Sequence, residues 1–285
     1  MVKIRRPAVA GLFYESEPEM LKEQIRQTFL HKLGPGKLPE VGQKFRADIL
    51  GIVSPHAGYI YSGHVAAHGF YRLSESGKPD IVFILGPNHH GLGDPLALSS
   101  SELWETPLGT LQVDLEVSKS IIEKNKLISF DDVAHLQEHS IEVQLPFLQF
   151  MYGNIRIVPL SMLLQYPEAA KAVGEAIASV ISEMNLKAYI VASSDFTHYE
   201  SADAARRKDK IAIEKIINLD PEGLFNAVVE TPISMCGPGP VMALIYAAKK
   251  LGYTKARLLK YANSGDVTGD YSAVVAYASI AFERE

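Results

Sequence analysis

Residues 81–91 read IVFILGPNHHG: five apolar residues, a Gly-Pro turn, and a polar tip that ends in two adjacent histidines. A run so short and so rich in Ile and Val, stopped by Gly86, Pro87 and Asn88, is the pattern of a strand covered on both faces. Two further stretches repeat the plan. Residues 49–53 (ILGIV) lead into Ser54-Pro55-His56-Ala57-Gly58-Tyr59, and residues 188–192 (AYIVA) lead into Ser193-Ser194-Asp195-Phe196-Thr197-His198. If these strands are parallel neighbours, their turns meet at one edge of the sheet, where open α/β sheets bind ligands. Adjacent residues of extended chain point to opposite sides, so His89 and His90 do not share one pocket, and His89 is expected to be the inward one.

Strand patterns alternate with helical ones along most of the 285 residues. Helices are expected at 17–30, 65–73, 114–125, 167–184, 202–217, from 221, and at 241–251, with strands at 155–160, 256–261 and 272–282 as well as the three above. Residues 95–99 and 110–113 are candidate short strands with Trp104 between them, and Pro146 bends or restarts a helix that begins near His139. The result is a single layered α/β domain, 1–285, with a mostly parallel central sheet and helices on both faces. A length rule of roughly 150 residues per domain would suggest two units, yet the one sizeable loop, 34–44, lies too near the start to divide the chain.

The charge balance, 28 Lys+Arg against 33 Asp+Glu, offers no basic field for nucleic acid. A single cysteine, Cys236, excludes an internal disulfide and fits a reducing compartment. The first residues, MVKIRRPAVAGLFYESE, make a poor signal peptide, and no run approaches the roughly 18 apolar residues of a membrane span. A cytoplasmic protein without nucleic-acid or membrane partners is the expectation.

Of nine histidines, His31, His64, His68 and His135 lack a partner pattern and read as structural or surface groups. His56, His89 and His198 differ, because each follows a buried strand. Cys236 sits just ahead of the 241–251 helix, where a thiol facing the helix end would be a stabilised thiolate, the alternative being a buried, inert cysteine. Two histidines and a thiolate, His56, His89 and Cys236, can hold one metal ion, a set that suits zinc, iron(II) or copper. His198 then stands as a nearby acid/base with Asp195 as its orienting carboxylate. His139 and Glu142 lie one helical turn apart and can face one way, with a capped helix start as the structural alternative. No nucleophile elbow, phosphate loop or dinucleotide fingerprint is present.

Taken together, PHAGYIYSGHVA, ILGPNHHG, EHSIEVQLPFL, SSDFTHY and MCGPGPV, with AGLFY near the start, occur in the order and spacing of the Memo family, and the chain resembles that family over nearly its whole length. The resemblance implies a fold like that of class III extradiol dioxygenases, nonhaem iron(II) enzymes that open catechol rings. It also implies a metal pocket at His56, His89 and Cys236 with Asp195 and His198 beside it. Those dioxygenases hold iron with two histidines and a carboxylate, whereas here a cysteine stands in the carboxylate's place, which separates the fold from catechol cleavage.

Three functions follow as expectations. The first is a nonhaem metal-dependent oxidoreductase acting on a small molecule, with a mononuclear metal, iron(II) first and copper or zinc as alternatives. The second is a metallohydrolase whose metal-bound water attacks a carbonyl. In the third, the same pocket binds a peptide or small ligand without turnover. Tyr59, His139 and Glu142 are expected to contact the ligand, and Tyr61 and Trp104 are further candidate wall residues.

Overall fold

The computed structural model describes residues 2–284. Its centre is a run of parallel strands in the spatial order Gly109–Val113, Arg156–Met162, Ile81–Pro87, Ala188–Ser193 and Ile49–Ser54. Phe83 lies level with Val158 on one side and Ile190 on the other, and Ile190 is in turn level with Gly51. The three stretches that resemble one another in sequence are therefore neighbours pointing the same way. Their carboxyl ends, Pro87, Ser193 and Ser54, form one rim.

Period-two alternation sends the strands' side chains into two separate cores. Ile81, Phe83, Leu85, Val158, Leu160 and Ile190 enter one with the helices Pro167–Glu183 and Pro238–Leu251. Val82, Ile84, Ile157, Tyr189 and Val191 enter the other with the helices Pro18–Leu30 and Tyr59–Glu75. Helices thus cover both faces, and the strand residues between them have almost no contact with solvent. At about 25 cal/mol per Å² of apolar area removed from water, these two cores dominate the stability of the fold. Among the described residues no helix is long and apolar enough to cross a membrane.

The remaining elements correct several sequence-based expectations. The closing strands Lys255–Asn263 and Val274–Glu283 are antiparallel to each other, and the second pairs antiparallel with Ile49–Ser54. Trp104 does not sit in a connection but in a strand, Leu103–Thr106, paired with Gly109–Val113 on one side and with the two-residue strand Ile4–Arg5 on the other. The expected 65–73 helix begins earlier, at Tyr59, because Gly58 closes the turn and the Tyr59 amide is already taken by Phe13 O. Pro146 restarts rather than bends its helix: a short 3-10 turn, Glu142–Gln144, precedes Leu145–Tyr152, and the proline occupies the first turn where its missing N–H costs nothing. Asp114 caps Leu115–Lys124 through Oδ1, which accepts from Val117 N at 3.0 Å.

Candidate metal centre

His56 and His89 each lie two residues past a central strand, and a third imidazole joins them. One nitrogen from each of His56, His89 and His139 lies within 4.8 Å of the others, close enough to hold one metal ion. The His89 and His139 rings stack with centroids 4.7 Å apart, and His56 stands edge-on to both, at 5.1 and 5.3 Å. His139 arrives on the segment ahead of the Glu142–Gln144 turn. That segment can approach the Ile81–Pro87 strand because Gly86 has no Cβ, which would otherwise collide with Ser140; Ser140 Oγ donates to Pro87 O at 3.0 Å.

His89 faces the pocket because Asn88 closes the turn behind it. Asn88 Oδ1 accepts from His90 N and Gly91 N, at 3.1 and 3.0 Å, which turns His90 outward into solvent. Glu138, itself 1% exposed, then pins His89. One carboxylate oxygen takes His89 N at 2.6 Å and the other faces His89 Nδ1 at 2.9 Å. The same carboxylate accepts from His139 N and Ser140 N, at 2.9 and 2.8 Å. A carboxylate accepts only, so His89 Nδ1 carries the proton and Nε2 keeps a free lone pair.

Donor counting assigns His56 in the same way. Ser193 Oγ gives its single proton to Ser140 O at 2.7 Å and accepts from Gln144 Nε2 at 2.9 Å. It must therefore accept from His56 Nδ1, 2.8 Å away. That leaves the His56 Nε2 lone pair facing Cys236 Sγ at 3.1 Å, so the thiol is the donor in this contact. Burial, reinforced by the neighbouring imidazoles, holds the pKa of His56 well below its ordinary value. Burial also lowers His139, to about 4. Neutral imidazoles are the form that binds metal.

Cys236 meets the cluster through His56. Of the two sequence readings, a thiol activated by the following helix and a buried, inert one, the first lacks its donors: that helix starts at Pro238 with Pro240 in its first turn, residues that have no N–H to offer. Sγ instead accepts from Asp195 N at 3.1 Å. Burial first, and then the Asp195 carboxylate, push the thiol well above its ordinary range. Asp195 Oδ1 accepts from His56 N at 2.8 Å, and its burial raises the carboxyl to about 6. His198 lines the same pocket. Its Nδ1 lies 2.8 Å from Ser234 O, a carbonyl that can only accept, so Nε2 is the unprotonated nitrogen.

The pocket that these groups line has a volume of about 680 Å³, ample for a small organic ligand. Phe13 packs against His139 with ring centroids 4.6 Å apart, and Tyr61 forms part of the wall. Three residues proposed as ligand contacts or walls lie elsewhere. Glu142 is fully buried, pairs with Arg5, and accepts from Ala8 N, Val9 N and Tyr14 Oη, so it anchors the start of the chain. Tyr59 is buried and donates to Val143 O at 2.6 Å. Trp104 is buried beneath the Arg5 guanidinium and donates to Ser99 Oγ at 3.0 Å. The 3-10 turn explains Glu142: without a regular α-helix from 139, the i, i+3 pair does not share a face. The orienting roles of Glu138, Ser193 and Ser234 escape a reading of the sequence. Adjacency of Glu138 to His139 was the one local hint.

A layered α/β domain that gathers three imidazoles at the ends of its parallel strands defines a class of protein with a pocket able to hold a metal ion. Within that class the chain belongs to the Memo family: the family model described as Memo-like protein matches residues 5–281. A MEMO1 family protein of Methanopyrus kandleri is 49% identical over 98% of this chain and 99% of its own length. One from Methanothermobacter thermautotrophicus is 48% identical over 97% and 99%. Among solved structures, an uncharacterized protein from Escherichia coli K12 superposes with a TM-score of 0.53 at 14% identity, over 82% of this chain and 99% of that one, a likeness of fold alone.

Proposed function

We propose that the protein is a mononuclear nonhaem metal enzyme, with oxidoreductase chemistry on a small molecule as its activity. The observation that carries this reading is the convergence of His56, His89 and His139 within 4.8 Å at the strand ends. The fit to a metal is supported by the donor assignments: two of the three imidazoles have their Nδ1 engaged by Ser193 and Glu138, leaving an unprotonated Nε2 on each, that of His56 accepting from the Cys236 thiol. The Cys236 sulfur, 3.1 Å from His56 Nε2, would add a soft fourth donor on losing its proton. Nitrogen with sulfur suits iron(II), copper or zinc alike, and iron(II) comes first only through the family's likeness to nonhaem iron enzymes. When bound, such a metal supplies Lewis acidity and, for iron or copper, an electron-transfer centre.

The chain's own groups divide the remaining work. His198 Nε2 is the base that receives a proton from the ligand or returns it, while Ser234 O keeps the ring in that tautomer. Asp195, with its carboxyl near neutrality, can hold a proton beside His56. Phe13 covers one face of His139, ring against ring.

Elemental analysis of protein purified without oxygen tests the centre. Near-stoichiometric iron, copper or zinc is expected in the wild type, with loss in His56→Ala and a reduced content in Cys236→Ser. Protein that takes up none of these ions would overturn the reading. Oxygen consumption by the loaded protein would support the oxidoreductase, whereas ester or amide hydrolysis without oxygen uptake would favour the metallohydrolase. His198→Ala is expected to abolish turnover while sparing metal; a change in ligand affinity alone would identify a binding protein.

A further inference from the structure

The pocket has a second half that the metal reading leaves unused. Besides the imidazoles its wall includes Tyr61, Tyr199, Tyr277 and Asp270, and among the described residues no lysine or arginine lines it. Tyr277 is 1% exposed, yet its hydroxyl has no hydrogen-bond partner among the described residues and borders the pocket. A hydroxyl that opens onto a cavity without a partner in the described residues is free to donate to a ligand. Burial, with the nearby Asp195 carboxylate, keeps this phenol protonated and therefore a donor.

Tyr199 stands at the mouth with a backbone φ of +59°, in a region that aromatic residues rarely occupy. The irregular pairing of His198–Glu200 with the Val274–Glu283 strand holds it there, 79% exposed and beside His198. Strain of this kind persists where the surrounding structure requires it, and often at ligand sites. Among the described residues Asp270, which lines the pocket, uses only Oδ1, to accept from Ser272 N and Oγ at 2.9 and 2.6 Å, and its second oxygen is unpaired. Aromatic faces beside an unpaired carboxylate attract positive charge and offer nothing to an anion.

We propose that the pocket takes a small organic cation: an ammonium group lies against Tyr61 and Tyr199 next to Asp270, and an oxygen function at the other end accepts from the Tyr277 hydroxyl on the way to the imidazoles. This polarity places the cationic end away from the metal of the proposed centre, where like charge would repel it, and the oxygen end toward it. The inference rests on the pocket being the ligand site of the metal reading, although the selectivity it predicts belongs to the aromatic wall.

Three probes of one shape test it: choline, its neutral carbon isostere 3,3-dimethylbutan-1-ol, and the anion 3,3-dimethylbutanoate. Each is titrated by NMR into metal-free and metal-loaded protein. Choline is expected to bind roughly tenfold more tightly than the alcohol. Asp270→Asn should weaken choline about threefold and leave the alcohol unchanged. Tyr277→Phe should weaken both about fivefold, since both carry the hydroxyl oxygen. Equal or tighter binding of the alcohol or the carboxylate to metal-free protein, or no choline binding at concentrations on the order of 10 mM, would overturn the proposal. If no metal binds but the order of the probes holds, the metal reading fails alone. If metal binds and the order is lost in both forms, this inference fails alone.

Discussion

Glu138 accepts from His89 Nδ1, His89 N, His139 N and Ser140 N with a single carboxylate. It thereby fixes the tautomer of one candidate ligand and the backbone that presents another. Glu138→Gln keeps the shape but must place an amide NH₂ where some of those donors point. We expect a loss of roughly 10–100-fold in affinity for cobalt(II), read by optical titration; an unchanged affinity would remove Glu138 from the centre. Arg5 illustrates the contrasting case of a charge with a structural task. It pairs with the fully buried Glu142 and also donates to His135 O and Glu138 O. Arg5→Ala leaves that carboxylate buried with backbone amides and Tyr14 alone, and should destabilise the protein by about 3–5 kcal/mol in urea unfolding. A change below about 1 kcal/mol would show that the amides suffice.

At the scale of elements, the site depends on how closely the Pro238–Leu251 helix approaches the end of the Ala188–Ser193 strand. Gly237 makes that approach possible, because a Cβ there would run into Ser193 O and the Ser194 side chain. Gly237→Ala should cost about 1–3 kcal/mol through overpacking and also lower metal content by displacing Cys236 from His56. Thermal unfolding and elemental analysis of the same sample would check both, and full metal content in a destabilised variant would uncouple the helix start from the site. The elements themselves were largely legible. The strand 81–85 extends only to Pro87, and 202–217 forms as the helix Ala202–Ile217, because apolar period and end signals agree there. Legibility failed where packing overrode the local pattern. Trp104 sits in a strand held between Ile4–Arg5 and Gly109–Val113, and the 139–147 stretch divides into a 3-10 turn and a helix at Pro146.

For the whole molecule, burial of neutral histidines links stability to pH. His64, His135 and His139 are each lowered by burial from 6.5 to about 4. Between those values the unfolded chain binds the extra protons, so stability is complete above about pH 6.5 and falls as the pH drops toward 4. Asp195 opposes this, since its carboxyl is raised from 3.8 to about 6 and the folded state gains a proton there first. Asp209, raised by burial, acts in the same sense as Asp195, but with His56 also held low four buried histidines stand against two carboxyls and give a net loss. Metal-free protein should therefore show a urea midpoint that declines from pH 7 to pH 4, with a shallower decline in His135→Gln; a flat profile would contradict the burial of these rings as neutral groups.

The apolar strands, their burial on both faces and the turns that carry His56, His89 and Asp195 were present in the chain itself, because each rests on local pattern: a short apolar run, a turn, a polar tip; that the strands are parallel neighbours was settled by folding. Family membership was likewise carried by motifs in the linear order. The third imidazole, the carboxylate that orients two of them and the inward phenol of Tyr277 were settled only by folding. Glu138 and His139 reach the site across a gap of some 50 residues from His89, and Tyr277 reaches it on an antiparallel strand laid beside Ile49–Ser54. Such contacts depend on which segments the two cores press together. No period or spacing within one segment encodes that choice.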